Sequence, residues 1–403
     1  MSSGFERTPV QGNERWLPPE GVQELLPPTA QSLEEARRAV LDLFRSWGYQ
    51  LVFPPLVEHL DALLTGTGSD LDLQTFKFVD QLTGRMLGMR ADMTVQVARI
   101  DARHMPHDRP VRLCYVGTVL RTRPDGLGGG RTPVQMGAEL YGHAGLESDL
   151  EIISLLVESL QMAGVPALHL DLGHVGIFRT LARQAGLDQN LEHEVHEALQ
   201  RKARPELEEM LRGGEAMQRL LALSDLSGDA STLDEAASRF AGAGDAVLEP
   251  IEQLRTLYAA LARRYPELGL HVDLAELRGY AYHTGTVFAA YTPSVGQEIA
   301  RGGRYDDIGQ AFGKPRPATG FSADLKLLVE VAASNGTSPP IQGAILAPDL
   351  EDDELRGLIR RLRQAREVVI GRLPGCDATG AALGCDRELV KSGEGWRVVP
   401  LGR

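Results

Sequence analysis

Two apolar runs, Val111 to Val116 and Val134 to Tyr141, flank an unusually glycine-rich connection, RTRPDGLGGGRTP, and this arrangement constrains the fold more than any other feature. Parallel neighbours need a crossover that is usually a helix, and a connection this rich in glycine and proline has no helical period. The two runs therefore predict an antiparallel pair. Phe76 to Val79 and Met86 to Met89 predict another, because only the turn signal QLTGR separates them.

Around these strands the pattern alternates. Ala36, Val40, Leu43 and Phe44 recur at helical spacing between Ala30 and Trp47, and Gly48 ends that helix. A strand is expected over Tyr49 to Phe53, stopped by Pro54 and Pro55, which cannot donate to a sheet ladder. A helix from Asp149 to Gly164, a strand from Ala167 to Leu172 and a helix opened by Gly176 to Arg179 come next. About residues 187–247 are charged, leucine-rich and helical in period, which reads as a helical insertion. Strands are expected again at Leu270 to Leu274, Thr286 to Tyr291 and Gln297 to Ala300, before a last helix from near Phe321 to Ala333.

The expected fold class is α+β: an antiparallel sheet flanked by helices over residues 1–333, carrying the insertion. Residues 334–342 contain SNGTSPP and read as a linker, and 343–403 as a small α/β appendage. A chain of 403 residues suits two domains, or one large domain with an addition.

Composition excludes several classes. Hydrophobic residues at 43% and charged residues at 24% are globular values. Three cysteines, Cys114, Cys376 and Cys385, cannot form a fully paired framework, and their spacing suits no zinc site, so neither metal nor cofactor is expected. The N-terminal residues lack a signal-peptide pattern, and no run approaches the roughly 18 apolar residues that span a bilayer. A soluble cytoplasmic protein is expected. The net charge of −13 argues against tRNA as the main ligand, since a nucleic-acid backbone is usually gripped by Lys and Arg.

Four segments in one order resemble the class II aminoacyl-tRNA synthetase domain, specifically the histidyl family, over about residues 17–330. YQLVFPPLVEH resembles motif 1, the dimer-forming element. LGMRADMT is similar to that family's RPEGT segment. YVGTVLRTRPDGLGGGRTPVQMGAELYG resembles motif 2 and the strand after it. LRGYAYHTGTVF, ARGGRYDD and ATGFSADLKLL resemble the histidine loop, the GGRYD turn and the motif 3 helix.

The resemblance implies one site kept and one lost. Arg121 stands at the motif 2 arginine that neutralises the α-phosphate and the substrate carboxylate, but Arg123 replaces a glutamate that positions ATP. Pro133 replaces the ring that stacks on adenine. In motif 3 the second ATP-binding arginine is Leu327, Asp324 replaces a glycine, and Lys326 replaces a glutamate. Successive residues on a helix diverge by about 100°, so Lys326 is expected to point away from the vacant arginine position.

A histidine pocket is implied by Asp92 and Thr94 for the ammonium group, Arg121 and Arg278 for the carboxylate, and Tyr282 and Tyr305 over the ring. Gln135 and Glu139, four apart on a strand, share one face. His283 stands where the family has a second tyrosine. Taken alone, Gln135 and Glu139 could be exposed strand residues, Arg278 a turn anchor, Tyr305 packing, His283 a local hydrogen-bonding residue, and Arg123 and Arg131 a solvated loop.

Within the family this imbalance resembles the regulatory branch, which joins the short-form catalytic subunit of ATP phosphoribosyltransferase. The resemblance implies a non-catalytic subunit that binds L-histidine, dimerises through motif 1, and assembles into a hetero-octamer. An active histidyl-tRNA synthetase and a histidine-binding adaptor for another enzyme or RNA remain as alternatives.

Overall fold

The computed structural model describes residues 17–66, 69–124, 129–277, 279–280, 282–336, 343–376, 378–393 and 395–402. It separates into two compact units, Met1–Ser338 and Pro339–Arg403.

The first unit opens with α1 (Thr29–Ser46) and β1 (Gln50–Leu51), followed by β2 (Val57–His59), α2 (Leu60–Leu63) and α3 (Ser69–Gln74). The hairpin β3 (Phe76–Val79) and β4 (Met86–Met89) leads through α4 (Thr94–His104) to β5 (Val111–Thr118) and β6 (Val134–Tyr141). Next are α5 (Leu146–Met162), β7 (His169–His174) and α6 (Val175–Gln184). The insertion comprises α7 (Gln189–Gln200), α8 (Arg204–Met210), α9 (Glu215–Ala222), the short β8 (Ser227–Gly228) and α10 (Ser231–Arg239). The chain returns through α11 (Asp245–Arg264), β9 (Gly269–Asp273), β10 (Thr286–Tyr291), β11 (Ala300–Arg304), β12 (Ala318–Asp324) and α12 (Leu325–Ser334).

A central sheet of nine strands runs in the order β1-β5-β6-β12-β11-β10-β7-β9-β8. Its ladders are antiparallel except for β1 with β5 and β7 with β9. Side-chain alternation gives the sheet two faces. Met136, Ala138 and Leu140 of β6 enter the main core with Phe44 of α1 and Ile152 and Leu156 of α5. Opposite them, Leu113, Tyr115, Tyr305 and Ala318 pack with Val95 and Val97 of α4. The site lies on this second face.

Several element boundaries differ from those the sequence suggests. The first strand is only Gln50–Leu51, although the Val52 amide still bonds the Cys114 carbonyl at 2.9 Å. The return strand is Ala300–Arg304 rather than Gln297 to Ala300, because its glycines, which read as a turn, are held extended by ladders on both sides. Phe321 to Asp324 belong to β12, and the helix begins at Leu325. A buried apolar strand and a buried helix look alike to periodicity; here Asp324 marks the junction, its carboxylate capping the Lys326 amide at 3.0 Å. Over the residues read as an insertion the helices run from Gln189 to Arg239, and α11 follows from Asp245, packing on α5, α6 and β7.

The second unit contains β13 (Ala344–Ala347), α13 (Asp353–Gln364), β14 (Val369–Gly371), β15 (Cys385–Ser392) and β16 (Gly395–Pro400). Its sheet runs β14-β13-β15-β16, with Ile345, Leu355, Val369 and Leu389 forming its own small core. Among the described residues no helix is long and apolar enough to cross a membrane, and no cluster of three or more potential metal ligands occurs.

Candidate functional site

Gln135, Gly137 and Glu139 project from β6 on the face opposite the main core. Gln135 is 2% exposed and Glu139 1%, so neither is an ordinary surface residue. Across the ladder, Tyr115 of β5 faces Gly137, and Gly320 of β12 faces Glu139. Both glycines make room. A β-carbon on Gly137 would lie 2.4 Å from the Tyr115 ring, and one on Gly320 would lie 1.6 Å from Glu139 Oε2.

These side chains form one continuous polar network with the turn before α4. Gln135 Nε2 donates to Asp92 Oδ2 at 2.6 Å, while its Oε1 accepts from the Met93 amide at 2.9 Å. Asp92 Oδ1 caps the Thr94 amide at 2.7 Å. Thr94 Oγ1 lies 3.3 Å from the Tyr115 hydroxyl, which donates to Glu139 Oε1 at 3.0 Å. The Tyr305 hydroxyl donates to Glu139 Oε2. Gln135 therefore acts first as the group that fixes Asp92.

Two carboxylates, Asp92 and Glu139, meet in this network, and none of the hydrogen bonds that join it comes from a cationic side chain. Burial pushes the Glu139 carboxyl up to about 8, with the negative charge of Asp92 adding to the shift and the bonds from Tyr305 and Tyr115 opposing it. Near neutral pH Glu139 is thus held mainly as the neutral acid.

On the other side, the His283 ring lies 4.3 Å from that of Tyr282 and 6.4 Å from that of Tyr305. His283 Nδ1 lies 3.2 Å from the Arg304 carbonyl, and because a carbonyl only accepts, Nδ1 carries the proton. Burial lowers the His283 pKa to about 4, so the ring is neutral. Tyr282 keeps 40% of its surface exposed and forms the rim. Arg304 anchors the turn: its guanidinium donates to Asp149 Oδ1 at 2.9 Å and Oδ2 at 3.2 Å, and to Ser148 Oγ at 2.8 Å.

Beside Gln135 opens a cavity of about 800 Å³, lined also by Arg121, Arg301, Pro133, Lys326 and Leu327. It occupies the positions where the resemblance places ATP. Lys326 is not turned away as helical spacing suggested: it lines the cavity with Leu327, and its Nζ is held by the Thr132 carbonyl and by Thr132 Oγ1 at 3.3 Å. The reason is its place in the first turn of α12, beside β6. Asp324 is likewise engaged, accepting from the amides of Lys326 and Val134, both at 3.0 Å. The Arg121 guanidinium reaches the Ala91 carbonyl at 3.4 Å. Arg131 is no solvated loop residue, since it bonds the carbonyls of Arg121 and Glu20 and lies over the Phe76 ring at 5.0 Å. Arg123 is exposed.

The structure thus joins Asp92, Thr94, Gln135, Glu139 and Tyr305 directly, with His283 beside Tyr305, Tyr282 beside His283, and Arg121 along the adjoining cavity. Arg278 lies outside the described residues. Sequence reasoning missed Tyr115, which strand register places opposite Gly137, between two expected site residues. It also missed Arg304, and Arg301, which pairs with Glu298 at 3.1 Å at the cavity edge.

Comparison with known proteins gives a consistent picture. The profile of the family described as Histidyl-tRNA synthetase matches residues 21–328, and that of the "ATP phosphoribosyltransferase subunit HisZ C-terminal domain" matches residues 342–399. The chain is 54% identical over 394 residues to the ATP phosphoribosyltransferase regulatory subunit of Thioalkalivibrio sulfidiphilus, covering 96% of this chain and 99% of the relative. It is 55% identical over 394 residues to the protein of that name in Alkalilimnicola ehrlichii, covering 96% and 98%. Among solved structures, an ATP phosphoribosyltransferase regulatory subunit/histidyl-tRNA synthetase from Bacillus halodurans is similar at 26% identity and a TM-score of 0.79, covering 92% of this chain and 96% of that one. A histidyl-tRNA synthetase from Nostoc shares the fold, at 18% identity, a TM-score of 0.77 and coverage of 96% and 97%. The chain, a histidyl-tRNA synthetase-like fold followed by the tail these relatives share, belongs to the family of ATP phosphoribosyltransferase regulatory subunits.

Proposed function

We propose that this protein is the non-catalytic regulatory subunit of ATP phosphoribosyltransferase, at the first step of histidine biosynthesis, and that it binds L-histidine as feedback effector. One observation carries the reading. The polar network from Asp92 through Thr94, Gln135 and Tyr115 to Glu139 and Tyr305 is complete, whereas the nucleotide positions hold Leu327, Pro133 and an already engaged Asp324.

In this reading Asp92 and Thr94 receive the ammonium group, Arg121 and Arg278 the carboxylate, and Glu139, Tyr282, His283 and Tyr305 surround the imidazole. L-histidine arrives near neutral pH as a zwitterion with a neutral ring, so the protonated Glu139 meets the imidazole as a hydrogen-bond donor. The active complex is a glycosyltransferase whose chemistry belongs to the short-form catalytic partner, which this subunit activates. Histidine then shifts the complex between states of unequal activity, which requires unequal affinity for those states. A hetero-octamer built on motif 1 dimers, in the cytoplasm, completes the proposal.

The test has two arms. Calorimetry is expected to show histidine binding, and mixing with the short catalytic subunit to raise phosphoribosyl-ATP formation, which histidine then lowers. Histidine-dependent ATP–pyrophosphate exchange at ordinary enzyme rates by the purified chain would sink the reading in favour of an active synthetase. Histidine binding with no effect on the catalytic subunit would leave an adaptor for another partner.

A further inference from the structure

The turn that brings Tyr282 and His283 to the site is held from behind by two helices that contribute no residue to it. Arg179 of α6 donates through one nitrogen, Nη2, to the carbonyls of Tyr280 at 2.9 Å and His283 at 3.1 Å. Its guanidinium carbon also lies over the Tyr280 ring, 4.8 Å from the centroid. Both ends of the turn are thereby tied to one side chain.

Tyr280 points away from the site and into the start of the insertion. Its hydroxyl donates to Glu192 of α7. Its ring lies 5.0 Å from that of His196, also on α7, and 5.3 Å, edge-on, from that of Phe178 on α6. His196 Nε2 in turn lies 3.2 Å from the carbonyl of Leu277, just before the turn. Thus α7 meets the turn at Leu277 and at Tyr280, while the Tyr282 and His283 amides fold back on the Gly279 carbonyl, each at 3.0 Å.

We infer that Tyr280, Glu192 and Arg179 are positioning residues that make the helical insertion a sensor of the site: the contacts that aim Tyr282 and His283 are the same ones that fix α7. A ligand that orders the turn must then order α7, because the turn and helix share Tyr280 through its hydroxyl bond to Glu192 and its ring contact with His196. This rests on the histidine reading above. It gives the insertion a role in regulation rather than in chemistry, and offers a physical route by which the occupied site is felt at a surface remote from it.

Backbone hydrogen exchange on the full-length protein tests this, with Tyr280→Phe as the variant, which keeps the ring packing and removes only the hydroxyl. Saturating histidine is expected to slow exchange over Gln189–Gln200 by at least about threefold in the wild type, and Y280F to abolish that response while weakening histidine affinity about three- to tenfold. Tyr265→Phe is the structural control, since its hydroxyl bonds Glu158 at 3.2 Å away from the turn, and it should leave the α7 response intact. If wild-type α7 does not respond to bound histidine, or Y280F responds as the wild type does, the inference is overturned. If calorimetry finds no histidine binding, the histidine reading fails instead. The clamp is then judged without ligand: Y280F should speed exchange of the Tyr282 and His283 amides at least about threefold, and unchanged rates overturn it.

Discussion

Gly320 stands directly opposite Glu139 in the β12–β6 ladder, and a β-carbon on it would fall 1.6 Å from the Glu139 carboxylate. The backbone of one strand thus makes room for the functional group of its neighbour. Gly320→Ala must push Glu139 away from Tyr115 and Tyr305 or part the strands. The expected cost is about 1–3 kcal/mol of stability by denaturant titration, together with loss of histidine binding. Unchanged binding would mean that Glu139 has no fixed role.

The buried Glu139 also sets a pH dependence. It titrates at about 8 in the fold against an ordinary value of 4.5, so between those values the folded state holds a proton that the unfolded chain has released. Its contribution is fully present below about 4.5 and is lost as pH rises to about 8. Glu139→Gln should therefore flatten the fall in melting temperature across that window. The comparison with wild type separates Glu139 from His174 and His283, whose pKa values are both lowered to about 4 by burial and which act in the opposite sense.

Glu139→Ala should abolish histidine binding by calorimetry and leave self-association intact in sedimentation. In the wild type near neutral pH, the Glu139 proton should stay in the complex, shared with the imidazole, so that the binding enthalpy does not vary with the buffer's heat of ionisation. A buffer-dependent enthalpy would show that the proton leaves the site on binding.

Restoring an arginine by Leu327→Arg should not by itself yield histidine-dependent ATP–pyrophosphate exchange. The new side chain would join a cavity already lined by Lys326, which is held on Thr132, and by Asp324, which caps α12, with Pro133 in place of a stacking ring. Exchange above background would show that one residue alone had silenced the site.

Breaking the Arg304–Asp149 pair by Asp149→Ala should cost about 3–5 kcal/mol in denaturant, since it leaves a buried guanidinium short of its main partner. The loss of anchorage should also disturb the His283 Nδ1 proton, which bonds the Arg304 carbonyl, and NMR of that proton would reveal it.

What the sequence determined by itself was local or ordered along the chain. Strand alternation put Gln135 and Glu139 on one face, proline and glycine marked the turns, and the order of four segments identified the family whose residues could be matched one by one. The replacements at Leu327, Pro133 and Asp324 were equally visible, because a lost side chain shows in the residue itself.

What only the tertiary structure decided depended on contacts between distant segments. Whether Gln135 and Glu139 were surface or core rested on what packs against that face, and the end of β12, the strand whose Gly320 stands opposite Glu139, looked like the start of a helix. Lys326 faces the cavity because β6 packs beside the first turn of α12, a relation that helical spacing alone cannot supply. Tyr115 joins the site through strand register, and Tyr280 links it to the insertion across a long stretch of sequence. Burial, register and long-range hydrogen bonds are properties of the assembled chain, and they turned a set of matched residues into one connected site.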